Sequence, residues 1–231
     1  MQIQINWNQD VREKFLELSI CIGTINNVHN EKENEQLKQL GDNVYGKVRT
    51  KYNIETLKDD QTVRAYRDFY WKLDIDPTKT RPSGEALLRR VLHGDELPNI
   101  FTVVDAYNLA SLKTIIPISG FDLDHLSPPF QVRFAKDGEM FTGIGMSKSM
   151  PLAEKMLVLV DEKQVLCIYP YRDSDYTKIT LQTRNALIVG YGVPGTTEQQ
   201  LKEAAETALS YIKQISGGEI ETVKVFSFKR Q

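Results

Sequence analysis

The chain has 231 residues, of which 41% are hydrophobic and 26% are charged, proportions that are ordinary for a globular protein with a sizeable core. Its formal net charge of −2 excludes a general attraction to nucleic acids or acidic membranes, so contact with either needs a local basic patch. Two cysteines without CxxC spacing and three histidines argue against a zinc site or a disulfide scaffold, so we expect no metal and no cofactor.

The N-terminal sequence does not have the pattern of a targeting or membrane segment. Residues 1–7 alternate polar and apolar side chains, whereas a signal peptide carries an apolar run. No later apolar stretch is long enough to cross a bilayer. We therefore expect a cytoplasmic protein without membrane contact.

The N-terminal part of the chain alternates strand and helix patterns. Hydrophobic periodicity predicts a half-buried strand at residues 3–6, a short helix from Asn8, a buried strand over residues 20–25, a solvated helix within residues 26–46 and a stronger helix over residues 62–73. Aromatic residues recur along one face of the last helix. We expect them to pack in the core and not to stack on nucleic-acid bases.

A basic segment, residues 76–92, combines a turn with the start of a helix. Ser83 follows Pro82 and is predicted to cap the helix by accepting a bond from a backbone N–H. Glu85 complements the positive end of the helix dipole. Four cations surround the turn and suit an anion such as a phosphate backbone: Lys79, Arg81, Arg89 and Arg90. The alternative is a capped, solvated amphipathic helix without a ligand.

Residues 99–112 begin with a strand or buried-turn pattern and end with a helical one. If the helix starts near Asp105, then Asp105 and Asn108 share one of its faces, because they lie one turn apart. Residues 114–123 contain proline, serine and glycine, and we predict a loop that exposes small polar groups.

The C-terminal half has mainly β character. Its patterns predict hairpins over residues 131–142 and 156–169, strands near residues 179–189 and 223–228, and an amphipathic helix over residues 196–213 that is capped by Thr196 or Thr197. No repeat, low-complexity segment or long linker interrupts the chain. We therefore predict one α+β domain over residues 1–231, with a mixed or antiparallel sheet and flanking helices.

A polar segment at residues 170–177 joins a cation, a carboxylate and a hydroxyl: Arg172, Asp173 and Ser174. A pocket at this segment would bind a polar substrate, although a surface salt bridge explains the same residues equally well. The sequence contains no G-x-S-x-G, P-loop, H-E-x-x-H or G-x-G-x-x-G motif, so no self-sufficient catalytic motif identifies a reaction.

A series of short motifs occurs in order along the chain. They are Arg81-Pro-Ser-x-Glu-Ala-Leu-Leu-Arg-Arg-Val, Leu97-Pro-Asn-Ile, Val104-Asp-Ala-Tyr-Asn108, Gly120-Phe-Asp-Leu-Asp124, Val132-Arg-Phe-Ala-x-x-Gly-Glu139 and Leu157-Val-Leu-Val-Asp161. The series resembles the B3/B4 editing module of the phenylalanyl-tRNA synthetase beta chain, in the free-standing form without the rest of the synthetase. The resemblance covers roughly residues 60–215, with residues 1–51 as a family-specific N-terminal part, and it implies a B3/B4-like fold.

The resemblance also implies a function. In that family the module binds the acceptor end of tRNA and hydrolyses a wrongly attached amino acid, which is tyrosine in the synthetase itself. Asn108 matches the asparagine of the family's Val-Asp-x-x-Asn run, which implies a place at the pocket wall and a bond to the substrate amino acid or the terminal ribose. Ser119 takes the position of a histidine that lies just before the family's Phe-Asp pair.

The chain also departs from the family at a position that reads the substrate. The glutamate that recognises the tyrosine hydroxyl falls at about Val189, after Thr183 and Asn185. Recognition of a hydroxyl depends on a matched buried partner, so this loss removes most selectivity for tyrosine. We therefore expect a different amino acid as substrate, or no hydrolysis at all.

Three hypotheses follow for the function. The first is a trans-acting aminoacyl-tRNA deacylase in which Asn108, Ser119 and residues 172–174 meet in one cleft and the basic segment contacts RNA phosphates. Such hydrolysis needs a positioned water and a stabilised oxyanion, which preorganised polar groups supply without a classical nucleophile. The second is a non-catalytic tRNA- or small-ligand-binding module. The third is a small-molecule enzyme or binder that reuses the pocket.

Overall fold

A computed structural model describes residues 3–229, so positions 1, 2, 230 and 231 of the predicted domain lie outside the described residues. The helices are α1 (Gln9–Lys14), α2 (Glu35–Lys51), α3 (Gln61–Lys72), α4 (Ser83–Leu92), α5 (Thr102–Thr114) and α6 (Glu198–Ser216). The strands are β1 (Ile5–Trp7), β2 (Glu17–Asn26), β3 (Ile118–Asp122), β4 (Phe130–Phe134), β5 (Met140–Phe141), β6 (Met150–Pro151), β7 (Leu157–Val160), β8 (Val165–Ile168), β9 (Arg172–Asp173), β10 (Ala186–Gly192) and β11 (Glu219–Lys229). The predicted α+β class is confirmed.

One sheet has four antiparallel strands in the order β11-β2-β10-β3. Its central strands β2 and β10 are rich in apolar residues and are buried along nearly their whole length. Val189 of β10 lies opposite Ser119 of the edge strand β3 and opposite Ile22 of β2. Directly opposed residues in an antiparallel pair share one face of the sheet, so Ser119 and Val189 point to the same side.

A second sheet has five strands in the order β1-β4-β7-β8-β9. Strands β1 and β4 are parallel and the other pairs are antiparallel, which confirms the predicted hairpin of β7 and β8. Strand β9 lies at one edge. Strands β5 and β6 form a separate two-stranded ribbon.

The two sheets meet through hydrogen-bonded aromatic residues. The phenol of Tyr169, just after β8, donates to the carbonyl of Gly192 at 2.6 Å and lies 3.1 Å from the carbonyl of Ser19. Its ring packs edge-on against that of Tyr191, with 4.9 Å between the centroids. Both tyrosines are buried, so the hydrogen bonds satisfy groups that would otherwise be costly to desolvate.

Helices α5 and α6 pack against each other beside the four-stranded sheet. Leu201 and Ala205 of α6 contact Cys21 of β2, so this cysteine is a buried apolar contact, as its sequence context predicts. Helix α6 begins with a capping box in which the Thr197 hydroxyl accepts the Gln200 N–H, which confirms one of the two predicted caps.

Three predictions about the strands are wrong. Residues 179–181 form no strand, because the chain there is irregular and enters a turn before β10. Residues 131–142 do not form a hairpin, because β4 pairs with β1 and β7 whereas β5 pairs with β6. The tight turn between them still forms, with Glu139 N–H donating to the carbonyl of Lys136. Residues 114–123 are not an exposed loop, because their second half is the buried strand β3. Pairing with β10 decides the structure of this segment despite its turn-type residues.

Two predictions about helix starts are also wrong. Ser83 does not cap α4, because it is already the first helical residue, and Pro82 takes the cap position without a side-chain bond. Residues 102–104, which have a strand-like sequence, lie in α5. They are fully or almost fully buried, and burial outweighs the weak intrinsic preference of β-branched residues for strands. Within residues 3–229, no helix is long and apolar enough to cross a membrane.

Candidate functional site

A hydrogen bond joins the edge strands of the two sheets. The Ser119 hydroxyl on β3 donates to a carboxylate oxygen of Asp173 on β9 at 2.7 Å, although 54 positions separate the two residues along the chain. Ser119 is buried and Asp173 keeps partial contact with solvent. We call these two residues the Ser119–Asp173 pair.

The surroundings of the Ser119–Asp173 pair leave the Asp173 carboxyl about half ionised at neutral pH. Burial raises the pKa of Asp173 to about 7, although the hydrogen bond from Ser119 acts in the opposite direction by favouring the charged form. A group with such a pKa accepts and releases protons readily at neutral pH. A strongly shifted carboxyl of this kind is a candidate for a functional group.

Protonated side chains surround the carboxylate. Burial and the nearby charge of Asp173 both raise the pKa of Tyr107, Cys167 and Tyr191, so none of them ionises near neutral pH. The Cys167 sulfur lies 3.2 Å from the Tyr191 hydroxyl. These groups are hydrogen-bonding and packing partners and not nucleophiles, because a thiol attacks only as a thiolate.

The neighbouring residues of the polar segment have different environments. Arg172 is exposed, and its guanidinium lies 6.0 Å from the Tyr171 ring centroid. Ser174 is buried and its hydroxyl accepts the backbone N–H of Tyr176, as in a structural turn. Among the described residues no ion pair joins Arg172 to Asp173. The carboxylate of this segment that forms a salt bridge is Asp175, which lies 2.6 Å from the Lys178 ammonium.

Asn108 lies on α5 and is partly exposed. Its side chain makes no hydrogen bond to any of residues 3–229, so it is not part of the network of the Ser119–Asp173 pair. The adjacent Tyr107 packs over Gly120 of β3, where a Cβ atom would lie 2.6 Å from the tyrosine ring. Val189 is fully buried beside Ser119 in the sheet.

The four cations of the basic segment line one surface groove of about 460 Å³, together with Ala86, His93 and Asp95. The groove cations are Lys79, Arg81, Arg89 and Arg90. Arg81 is exposed and makes no ion pair within the described part of the chain. Lys79 lies 3.9 Å from Asp76, and Arg90 donates to the carbonyl of Glu96 at 2.6 Å.

Glu85 has a role that the sequence did not reveal. Its carboxylate is 1% exposed and accepts hydrogen bonds from Arg67 of α3 and from Arg89, whose Nε lies 2.6 Å away. Burial alone would raise the pKa of Glu85, but the two guanidinium groups lower it below its usual value. Glu85 is therefore the centre of a buried ionic cluster that joins α3 to α4. Its role is not limited to complementing the dipole of α4.

A sequence model of the B3/4 domain family matches residues 65–217, which is more than half of the chain. The chain therefore belongs to the B3/4 domain family.

Individual relatives are phenylalanine–tRNA ligase beta subunits. That of Haemophilus ducreyi is 26% identical over 148 residues, covering 54% of this chain and 18% of the relative. That of Yersinia pestis is 31% identical over 101 residues, covering 44% of this chain and 13% of the relative. An N-terminal fragment of the phenylalanyl-tRNA synthetase beta subunit from Pyrococcus horikoshii has a TM-score of 0.49 and 13% identity, over 95% of this chain and 50% of that chain. The chain thus spans less than a fifth of the length of the two sequence relatives.

Arg81 and Arg89, two of the three arginines that line the groove, should differ in their effect on stability. Arg89→Ala removes one of two partners from a buried carboxylate, so we expect a loss of about 1–3 kcal/mol in the free energy of unfolding. Arg81→Ala removes an exposed side chain and should change stability by less than about 0.5 kcal/mol. Urea denaturation of both variants measures the difference. Equal stability of the two would contradict the role of Arg89 in the cluster around Glu85.

Proposed function

We propose that this protein is a trans-acting aminoacyl-tRNA deacylase, which binds the acceptor end of tRNA and hydrolyses the ester of a mischarged amino acid. Membership of the B3/4 family and relatives named as tRNA ligase subunits support the substrate class. The observation that carries the reaction is the Ser119–Asp173 pair, in which burial raises the pKa of the carboxyl to about 7. We assign residues 1–231 to one domain and the activity to the cytoplasm.

Asp173 is the proton acceptor in this proposal. Its carboxylate takes a proton from a water molecule while the water oxygen bonds to the ester carbonyl carbon. The tetrahedral intermediate then collapses and the bond to the ribose oxygen breaks. The proton passes from Asp173 to that oxygen, which leaves a free amino acid and a tRNA with a free terminal hydroxyl.

Ser119 is a positioning residue that orients the carboxylate through its hydrogen bond. In this proposal, the partly exposed amide of Asn108 binds the substrate amino acid or the terminal ribose. The exposed Arg172 binds a charged part of the same substrate. The apolar, buried Val189 beside Ser119 offers no acceptor for a phenol, which argues against tyrosine as the amino acid. The groove cations Lys79, Arg81 and Arg90 are assigned to tRNA phosphates, with Arg89 at the wall.

The acid–base role predicts a defined pH dependence. Only the ionised form of Asp173 accepts a proton, so deacylation should fall as the pH decreases through about 7. Asp173→Asn should lower kcat/KM at least about 100-fold while keeping an acceptor for Ser119. Ser119→Ala removes the bond that favours the carboxylate, so the midpoint of the profile should move to higher pH. The assay is hydrolysis of a full set of aminoacyl-tRNAs, corrected for spontaneous hydrolysis.

Three outcomes would contradict the roles proposed for Ser119, for Asp173 or for the reaction itself. A merely structural Ser119 would change the amount of folded protein without moving the midpoint of the pH profile. Wild-type rates in Asp173→Asn would remove Asp173 from the reaction. A complete set of aminoacyl-tRNAs that is bound but never hydrolysed would establish the non-catalytic binding module instead.

The groove is tested through the salt dependence of tRNA binding. If Arg81 contacts a phosphate, Arg81→Ala should weaken binding and reduce the slope of log affinity against log salt by about 1. Lys58→Ala, which removes an exposed cation that does not line the groove, is the matched control and should leave the slope unchanged. The same slope for wild type and Arg81→Ala would show that Arg81 contacts no phosphate and that the groove is an ordinary solvated surface.

A further inference from the structure

A cavity of about 240 Å³ lies between α2, α5 and the segment that joins α4 to α5. Its apolar wall includes the buried side chains of Leu37 and Leu109, together with Leu97, Pro98 and the ring of Tyr45. A single water needs only about 10–15 Å³ of such space, so the cavity is large enough for a small organic ligand. None of the residues assigned above to the deacylase reaction lines this cavity.

Asp105 faces this cavity with an incompletely paired carboxylate. The residue is 7% exposed, and both of its carboxylate oxygens accept the same backbone N–H of Ile100, at 3.1 and 3.0 Å. An ionised carboxylate offers about four acceptor positions. No cation and no hydroxyl group within residues 3–229 bonds to it. Burial raises the pKa of Asp105 to about 6, as expected for a charge that lacks a compensating partner.

The other charged and titratable groups around the cavity do not compensate Asp105. Lys38 of α2 is exposed, and its ammonium lies 3.8 Å from Glu35. Asp42 of α2 and Glu96 of the joining segment add negative charge. The Tyr45 hydroxyl accepts the backbone N–H of Leu97, and Tyr107 on the same helix is protonated. The potential at the cavity is therefore negative.

We propose that this cavity binds a small primary amine with a compact apolar body, whose ammonium group pairs with Asp105. The ammonium group supplies the donors and the positive charge that the carboxylate lacks, and a charge-assisted hydrogen bond is stronger in a desolvated site. The apolar body contacts Leu37 and Leu109. The proposal rests on the cavity and Asp105 and is independent of the deacylase reaction.

Isopentylamine is the probe, and 3-methylbutan-1-ol is its uncharged match. We expect the amine to shift the methyl NMR signals of Leu37 and Leu109 saturably, with a dissociation constant below about 10 mM at pH 7.5. The alcohol has the same apolar body and should bind at least about tenfold more weakly. This comparison uses the wild-type protein and so does not depend on the folding of any variant.

Two variants and a titration locate the ammonium partner. Asp105→Asn retains an acceptor for Ile100 and should weaken amine binding at least about tenfold, whereas Asp42→Asn, at the exposed side of the cavity, should weaken it less than about threefold. The amine stays protonated below pH 8, so its affinity should fall about tenfold from pH 7 to pH 5 as Asp105 becomes neutral. Equal affinities for amine and alcohol, no saturation up to about 10 mM, or unchanged binding in Asp105→Asn would overturn the proposal.

Discussion

Contact of the two sheets through buried side chains imposes the constraint on which the fold depends, because a polar group that is enclosed there is costly unless it is hydrogen-bonded. Tyr169 meets this requirement by bonding to the backbone at the ends of β2 and β10. Ser119 and Asp173 meet it at the edge. A carboxylate is the most costly of these groups to enclose, and one hydroxyl compensates it only in part. The contact that holds the sheets together therefore also produces a carboxyl that titrates near neutral pH.

Three carboxylates, of which Glu85 and Asp105 are buried and Asp173 is half-buried, show how the number and charge of hydrogen-bond partners decide the pKa of an acid. Glu85 has two guanidinium partners, and its pKa is lowered. Asp173 has one neutral hydroxyl and Asp105 one backbone N–H, and burial raises both pKa values. The first arrangement keeps a permanent charge and joins two helices. Asp173 and Asp105 instead have carboxyl groups that are stabilised by a proton or by an external cation. Proton transfer and amine binding require this property.

Periodicity located most helices and strands because local patterns and tertiary burial agree in those segments. Helices α2, α3 and α6 and the pair β7–β8 are examples. It failed for β3 and for the first turn of α5, where pairing with β10 and burial override local preference. It located β5 but not its partner β6, because a local turn does not encode pairing with a later strand.

The candidate site was accessible from sequence only in part. Sequence patterns indicate Ser119 and Asp173 as site residues, but their hydrogen bond depends on two edge strands that are far apart in sequence. The roles of Glu85 and Asp105 depend on which helices pack beside them, so spacing within one helix could not reveal them. The motif that ends at Asn108 predicts that this residue lies in the same cleft. Within residues 3–229, however, its side chain makes no hydrogen bond to the Ser119–Asp173 pair.

Direct titration of the Asp173 carboxyl tests the central claim, which is that burial between the sheets prepares this residue to exchange protons near neutral pH. Carbon-detected NMR of the side-chain carboxyl, assigned with Asp173→Asn, gives its pKa in the wild type and in Ser119→Ala. We expect a pKa of about 7 in the wild type and a higher pKa without the Ser119 hydroxyl. A carboxyl that titrates near 4, as an exposed aspartate does, and is unaffected by Ser119→Ala would contradict it.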